Sequence, residues 1–134
     1  MKFEAAARML FGTWRLTLYE DREAEADPWS PTFGVNPKGL VVYDPGGLLS
    51  VLVFAGTEPV HSSPYVGYLG TFRVREAGSV GDSIVGIVEH HVEAGTHPLL
   101  LEEHPDRPFT ISGNQLMLGD GLTARRLFTR ADAR

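Results

Sequence analysis

The pattern of apolar and polar positions changes period at Gly12. Before it, Phe3, Ala6, Ala7, Leu10 and Phe11 recur at helical spacing, with Glu4 and Arg8 on another face. That spacing predicts a short amphipathic helix over residues 2–10. After it, Trp14, Leu16 and Leu18 alternate with Thr13, Arg15, Thr17 and Tyr19, the period of a half-buried strand. Residues 39–43 and 48–54 are two more apolar runs, and Asp44-Pro45-Gly46-Gly47 between them predicts a hairpin. Further strands are predicted over 68–75, 84–93, 98–103, 109–112, 115–118 and 122–130. Turn chemistry separates them at 76–82, Gly113-Asn114 and Gly119-Asp120-Gly121. Two irregular stretches interrupt the pattern. Residues 20–38 are rich in carboxylates and proline, and 55–65 contain His61, Ser62 and Ser63. One helix followed by eight to nine short strands in sequence order predicts an all-β, up-and-down antiparallel barrel, with a two-sheet sandwich as the alternative.

Composition narrows the function more than the fold. A chain of 134 residues supports one hydrophobic core, so residues 1–134 are expected to form a single domain: helix 2–10, barrel 12–130, tail 131–134. The 15 glycines and nine prolines suit frequent turns. A net charge of −5, from 12 Lys and Arg against 17 Asp and Glu, argues against nucleic acid as a partner. The absence of cysteine removes thiolate catalysis, disulfides and cysteine-held metals. Glu4 and Arg8 interrupt what a secretory leader would keep apolar, and no run is long enough to span a membrane, so a cytoplasmic location is expected.

In a barrel, polar residues that share parity with the apolar set are candidates for lining a cavity. On the strand from Ile84, the inward set is Ile84, Gly86, Val88, His90 and Val92, which leaves Glu89, His91 and Glu93 facing solvent. Tyr68 shares parity with Gly70, Phe72 and Val74. Arg126 shares parity with Leu122, Ala124 and Phe128, although a snorkelling surface arginine competes with an inward one. Arg107 shares parity with Phe109 and Ile111. An imidazole, a phenol and guanidiniums in an apolar interior suit an apolar molecule bearing a carbonyl, enol or carboxylate. His90 would move protons, Tyr68 would supply an acid or oxyanion donor, and Arg107 and Arg126 would anchor anionic oxygen. Trp14, Tyr43, Phe72 and Phe128 are the aromatic candidates for ligand contact. The structural counterpart to each reading is a core residue whose polar atoms are simply satisfied.

Other chemistry has weaker support. Glu89, His91 and Glu93 share a face at spacing that could hold a surface metal, but a solvated face explains them, and no metal or cofactor is expected. Dinucleotide, Walker and Gly-x-Ser-x-Gly spacings are missing, and Ser50, Ser62 and Ser63 have no nucleophile context. Leu49, Val51 and Val53 alternate with a second apolar set, so one face of that strand needs cover from the helix or from a partner such as a second copy in a homodimer.

Several segments resemble the lipocalin-like domain family of small bacterial and fungal proteins. The opening Leu10-Phe11-Gly12-Thr13-Trp14-Arg15-Leu16 is similar to the Gly-x-Trp strand of the wider calycin group. Gly39 to Tyr43 with Gly47 and Ser50, and Tyr68-Leu69-Gly70-Thr71-Phe72, resemble later family strands. Val88 to Glu93, followed by Pro98 and Arg107, is similar to its His…Pro…Arg-x-Phe spacing, and Leu116 to Leu118 with Arg126 to Arg130 resemble its closing strands. The resemblance implies a lipocalin-like barrel with a helix at one end and a cavity for a small, mostly apolar molecule. It marks His90 and Arg107 as pattern positions. Most members have no assigned role, while some related barrels in natural-product pathways are cofactor-free isomerases or cyclases, so a non-catalytic carrier or sensor stands beside an enzyme. Fatty-acid-binding proteins are a competing resemblance, but Arg126-Leu127-Phe128 lacks their terminal aromatic hydroxyl and the stretch from Pro28 to Pro37 cannot form their helical lid. A nitrobindin-like haem barrel would use His90 as axial ligand but lacks the other glycines of that opening motif.

Overall fold

The computed structural model describes residues 3–56, 65–101 and 104–131. His61, Ser62, Ser63 and the tail beyond residue 131 lie outside the described residues. Helix α1 spans Phe3–Leu10. The strands are β1 (Gly12–Asp21), β2 (Ser30–Pro31), β3 (Lys38–Tyr43), β4 (Leu48–Phe54), β5 (Tyr65–Val80), β6 (Ser83–Gly95), β7 (Asp106–Ser112), β8 (Gln115–Leu118) and β9 (Ala124–Arg130). From β3 to β9 each strand pairs with the next in sequence, β3 also pairs with β1, and β9 returns to β1. All the pairings are antiparallel. The result is a closed eight-stranded barrel, with β2 as an extra two-residue strand on the far end of β1.

Three boundaries depart from the sequence pattern. The segment predicted as a strand from Pro98 is a 3₁₀ turn, Pro98–Leu101, in which Leu100 N donates to His97 O at 3.1 Å. Pro98 has no N–H to offer a ladder, and its fixed φ suits the first residue of such a turn. The turn expected over 76–82 is mostly strand: β5 continues to Val80, and the reversal needs only Gly81, at φ 59°, and Asp82. The last strand begins at Ala124 rather than Leu122, because the Asp120 carboxylate accepts from Leu122 N (2.8 Å), Thr123 N (2.7 Å) and Ala124 N (3.1 Å). These backbone donors hold the Asp120 carboxyl well below its usual range.

Bulges explain which side chains face inward. In β1 the register slips between Leu16 and Leu18, so Thr17 is unpaired and the alternation inverts. Trp14 and Leu16 point into the core, but beyond the slip Tyr19 rather than Leu18 faces the interior. β5 carries a second bulge at Arg75, and β6 a third at Glu93. On β4, Leu49, Val51 and Val53 are buried in the core, so the barrel itself covers that face. Leu48 and Leu52 point outward and stay exposed.

Helix α1 covers the end where β1 begins. Ala6 and Leu10 are buried in the same cluster as Trp14, Phe109, Ile111, Leu116 and Phe128. Among the described residues no helix is long and apolar enough to cross a membrane.

Candidate functional site

The opposite half of the barrel holds a cavity of about 420 Å³. Val51, Val53, Leu118 and Phe128 form much of its apolar wall, and Tyr19, Tyr68, His90, Arg107 and Arg126 bring polar atoms to it. The volume and the mix suit a small organic ligand.

His90 is the buried member of the polar group. No bulge interrupts β6 between Ser83 and Val92, so the parity that faces Val88 inward also faces His90 inward, where it is 2% exposed. Its main-chain N donates to Pro105 O at 2.8 Å, which fixes the strand there. Its ring has a phenol on each nitrogen: the Tyr43 hydroxyl is 2.7 Å from Nε2 and the Tyr68 hydroxyl 2.9 Å from Nδ1. Burial, reinforced by the positive charge of Arg107 and of His91 when protonated, pushes the imidazole down to about 3. Burial also raises the Tyr43 phenol well above its ordinary value. At neutral pH the group is therefore a neutral imidazole between two phenols.

The two arginines reach the cavity from its rim. Arg126 is inward in effect, with its side chain 21% exposed. It donates to Glu20 O (2.9 Å), Asp21 Oδ1 (2.9 Å) and the Tyr19 hydroxyl (3.1 Å), and lies 3.9 Å above the Tyr19 ring. Arg107 donates to His104 O at 2.5 Å and Asp106 O at 3.2 Å.

The aromatic candidates divide. Phe128 lines the cavity. Tyr43 is fully buried and reaches His90 from within the core, outside the described lining. Trp14 belongs to the junction with α1, where Nε1 donates to Leu10 O at 2.8 Å. Phe72 packs edge-on against Tyr43 at 4.8 Å and lines a shallower groove beside α1 and the β3–β4 turn. Parity places all three inside the barrel but does not say at which level. Tyr19 is the lining residue that periodicity misplaces, because an extra residue at Thr17 leaves no local signal in the sequence.

Glu89 is outward but is not a solvated carboxylate. Its side chain is 8% exposed, accepts from Arg73 Nε (2.8 Å) and His91 Nε2 (2.7 Å), and has Arg75 Nε at 3.5 Å. Those two hydrogen bonds, Arg73 first, pull the carboxyl down to about 2. Arg75 is also paired with Asp106. The bulge at Glu93 breaks the alternation that a Glu89–His91–Glu93 metal site would need, and no group of three or more such ligands converges among the described residues.

In comparisons with protein-family models, curated proteins and solved structures, nothing matches the chain.

Proposed function

We propose that the barrel binds a small, mostly apolar organic molecule carrying an oxygen function, in the manner of a lipocalin-like protein. The observation that supports this is the 420 Å³ cavity, whose lining sets His90, Tyr68, Arg107 and Arg126 among apolar side chains. An aliphatic body would gain by leaving water, and its oxygen would meet the polar group. Cofactor-free acid–base chemistry, an isomerisation or cyclisation of a carbonyl or enol compound, would use the imidazole, which is uncharged at neutral pH but, held down at about 3 by its burial, is a weak base until a ligand changes its surroundings. A carrier or sensor is the second reading, favoured by the engagement of both His90 nitrogens by tyrosines, which leaves neither as a ready base.

Mass spectrometry of small molecules that copurify with the chain tests the binding. Val53 on β4 faces the cavity, so Val53→Phe should narrow it while leaving the polar residues themselves in place. The variant is expected to fold and to lose the copurifying compound, with affinity at least tenfold lower, about 1.4 kcal/mol. Undiminished occupancy would place the ligand elsewhere. His90→Gln separates the two readings: turnover lost at retained affinity marks an enzyme, whereas weakened binding with no turnover in the wild type marks a carrier.

A further inference from the structure

One outer face of the barrel differs in charge from the rest of the chain. Segments 12–15, 38–43, 48–54 and 65–73 lie side by side as parts of β1, β3, β4 and β5. They contain no Asp or Glu, in a chain that has 17 of them and a net charge of −5. Their outward side chains form an apolar set. Leu48, Leu69 and Tyr65 are more than half exposed, Leu52 is exposed on a rung between Leu69 and Tyr65, and Phe54 stacks on Tyr65 at 5.4 Å. Three exposed cations flank the set. Arg15 lies opposite Leu40, which is opposite Leu52; Lys38 lies opposite Phe54; and Arg73 comes two residues after Thr71, the partner of Leu48. Carboxylates appear at the borders, Asp44 in the turn and Glu89 and Glu93 on β6. Asp44 is engaged by Gly46 N, and Glu89 by Arg73 and His91.

We propose that this face docks on an anionic lipid surface, with the aliphatic side chains entering the headgroup layer and Arg15, Lys38 and Arg73 meeting the anionic headgroups. Four strands about 4.8 Å apart, the longest running about 20 Å, make a face of roughly 300 Å². That is large enough to mark an interaction site, but well short of the ~800 Å² per partner of a stable dimer. A two-fold copy would also set cations against cations. Each of the four strands is paired on both sides, so none has an edge free to add a peptide strand. A lipid surface needs no edge. It also responds to the face presented more than to the net charge, because the Debye length at physiological ionic strength is about 8 Å. Val53 and Val66 pair one rung from Phe54 and Tyr65 and line the cavity from the inner side of the same strands. Docking would thus bring the cavity wall beside the lipid from which an apolar ligand partitions; that consequence rests on the cavity reading, and the docking does not.

Cosedimentation of the full chain with vesicles tests the proposal. The wild type should partition onto vesicles of equal parts phosphatidylserine and phosphatidylcholine at least tenfold more strongly than onto phosphatidylcholine alone, and added salt should erase the difference. Lys38→Ala should weaken the partition about fivefold, the effect of one cation near a charged surface. The double variant Leu48→Ser with Leu69→Ser should weaken it at least tenfold. All three positions are exposed, so these variants should melt with the wild type. Leu122→Ser, at an exposed leucine between β8 and β9, should bind as the wild type does. No binding to either vesicle overturns the proposal, and so does equal binding to both. Binding that survives in both the Lys38 and the leucine variants overturns the assignment of this face. A stable dimer or a complex with an acidic peptide that the leucine variant loses, without vesicle binding, would give the face to a protein partner and overturn the lipid reading. Val53→Phe, which narrows the cavity, should leave vesicle binding unchanged, so the docking and the cavity reading fail separately.

Discussion

Trp14→Ala is expected to cost about 3–5 kcal/mol, the range for truncating a large buried aromatic. The indole is completely buried and joins three parts of the molecule. Its N–H satisfies Leu10 O, a terminal carbonyl of α1 that has no partner within the helix. Its ring lies 3.9 Å beneath the Arg130 guanidinium, which itself donates to Phe11 O and Met9 O, each at 2.8 Å. Arg130 thus brings a cation to the helix C-terminus, a favourable place for it, and the indole supports it there. Alanine would leave a void, an orphaned carbonyl and an unsupported arginine at once. In a chain of this size the loss should lower Tm by roughly 10–20 °C. Trp14→Phe, which keeps most of the ring and loses the N–H, should cost nearer 1 kcal/mol. Thermal unfolding of both variants checks the pair. An alanine variant as stable as the wild type would mean that α1 is not held through this residue. Ligand affinity should be unchanged below the melting transition, since Trp14 lies outside the cavity lining.

Acidification from about pH 6.5 to about pH 4.5 should destabilise the fold by roughly 2–3 kcal/mol through His90 alone. Burial, then Arg107 and His91, depress the folded imidazole from 6.5 to about 3. Between those values the unfolded chain takes up a proton that the folded chain refuses, so the unfolded state is favoured as pH falls. The slope is about 1.4 kcal/mol per pH unit, and the penalty vanishes above the unfolded value. Glu89 acts in a lower window. Its carboxyl is depressed from 4.5 to about 2, mainly by Arg73 and then His91, so its contribution is present above 4.5 and is lost as pH falls through about 2. Urea midpoints measured from about pH 7.5 to about pH 5 therefore isolate the histidine. The wild-type midpoint should fall across this range, and the midpoint of His90→Gln, which has no charge to gain, should stay nearly level. Parallel curves would show that the imidazole protonates in place.

How much of this was legible follows the bulges. Residues 84–92 have none, so simple alternation identified His90 as inward and His91 as outward. The same reasoning placed Tyr68 correctly, since the β5 bulge at Arg75 comes later. It failed at Tyr19, because the unpaired Thr17 inverts the face of every residue beyond it on β1. An extra residue in one strand is decided by the register of its partner, more than 100 positions away in β9, and no local window contains that information. Tyr43 was legible as an interior aromatic but not as the second partner of the imidazole, since parity gives the face of a strand and not the reach of a side chain. Pro98 carried its own warning, as a residue with no ladder donor.

The pairing of β1 with β9 also governs how the barrel is assembled. Trp14 lies opposite Arg130, so the first and last strands meet only after nearly the whole chain has been laid down. Hairpins between sequence neighbours can form early, each closing a short loop, but this final seam closes a loop of more than a hundred residues and carries the largest entropic delay. Until it closes, β1 and β9 each offer a row of unpaired backbone groups to any other unfinished chain. The exposure to misassembly is therefore confined to one late step of folding, and it ends when the ring is sealed.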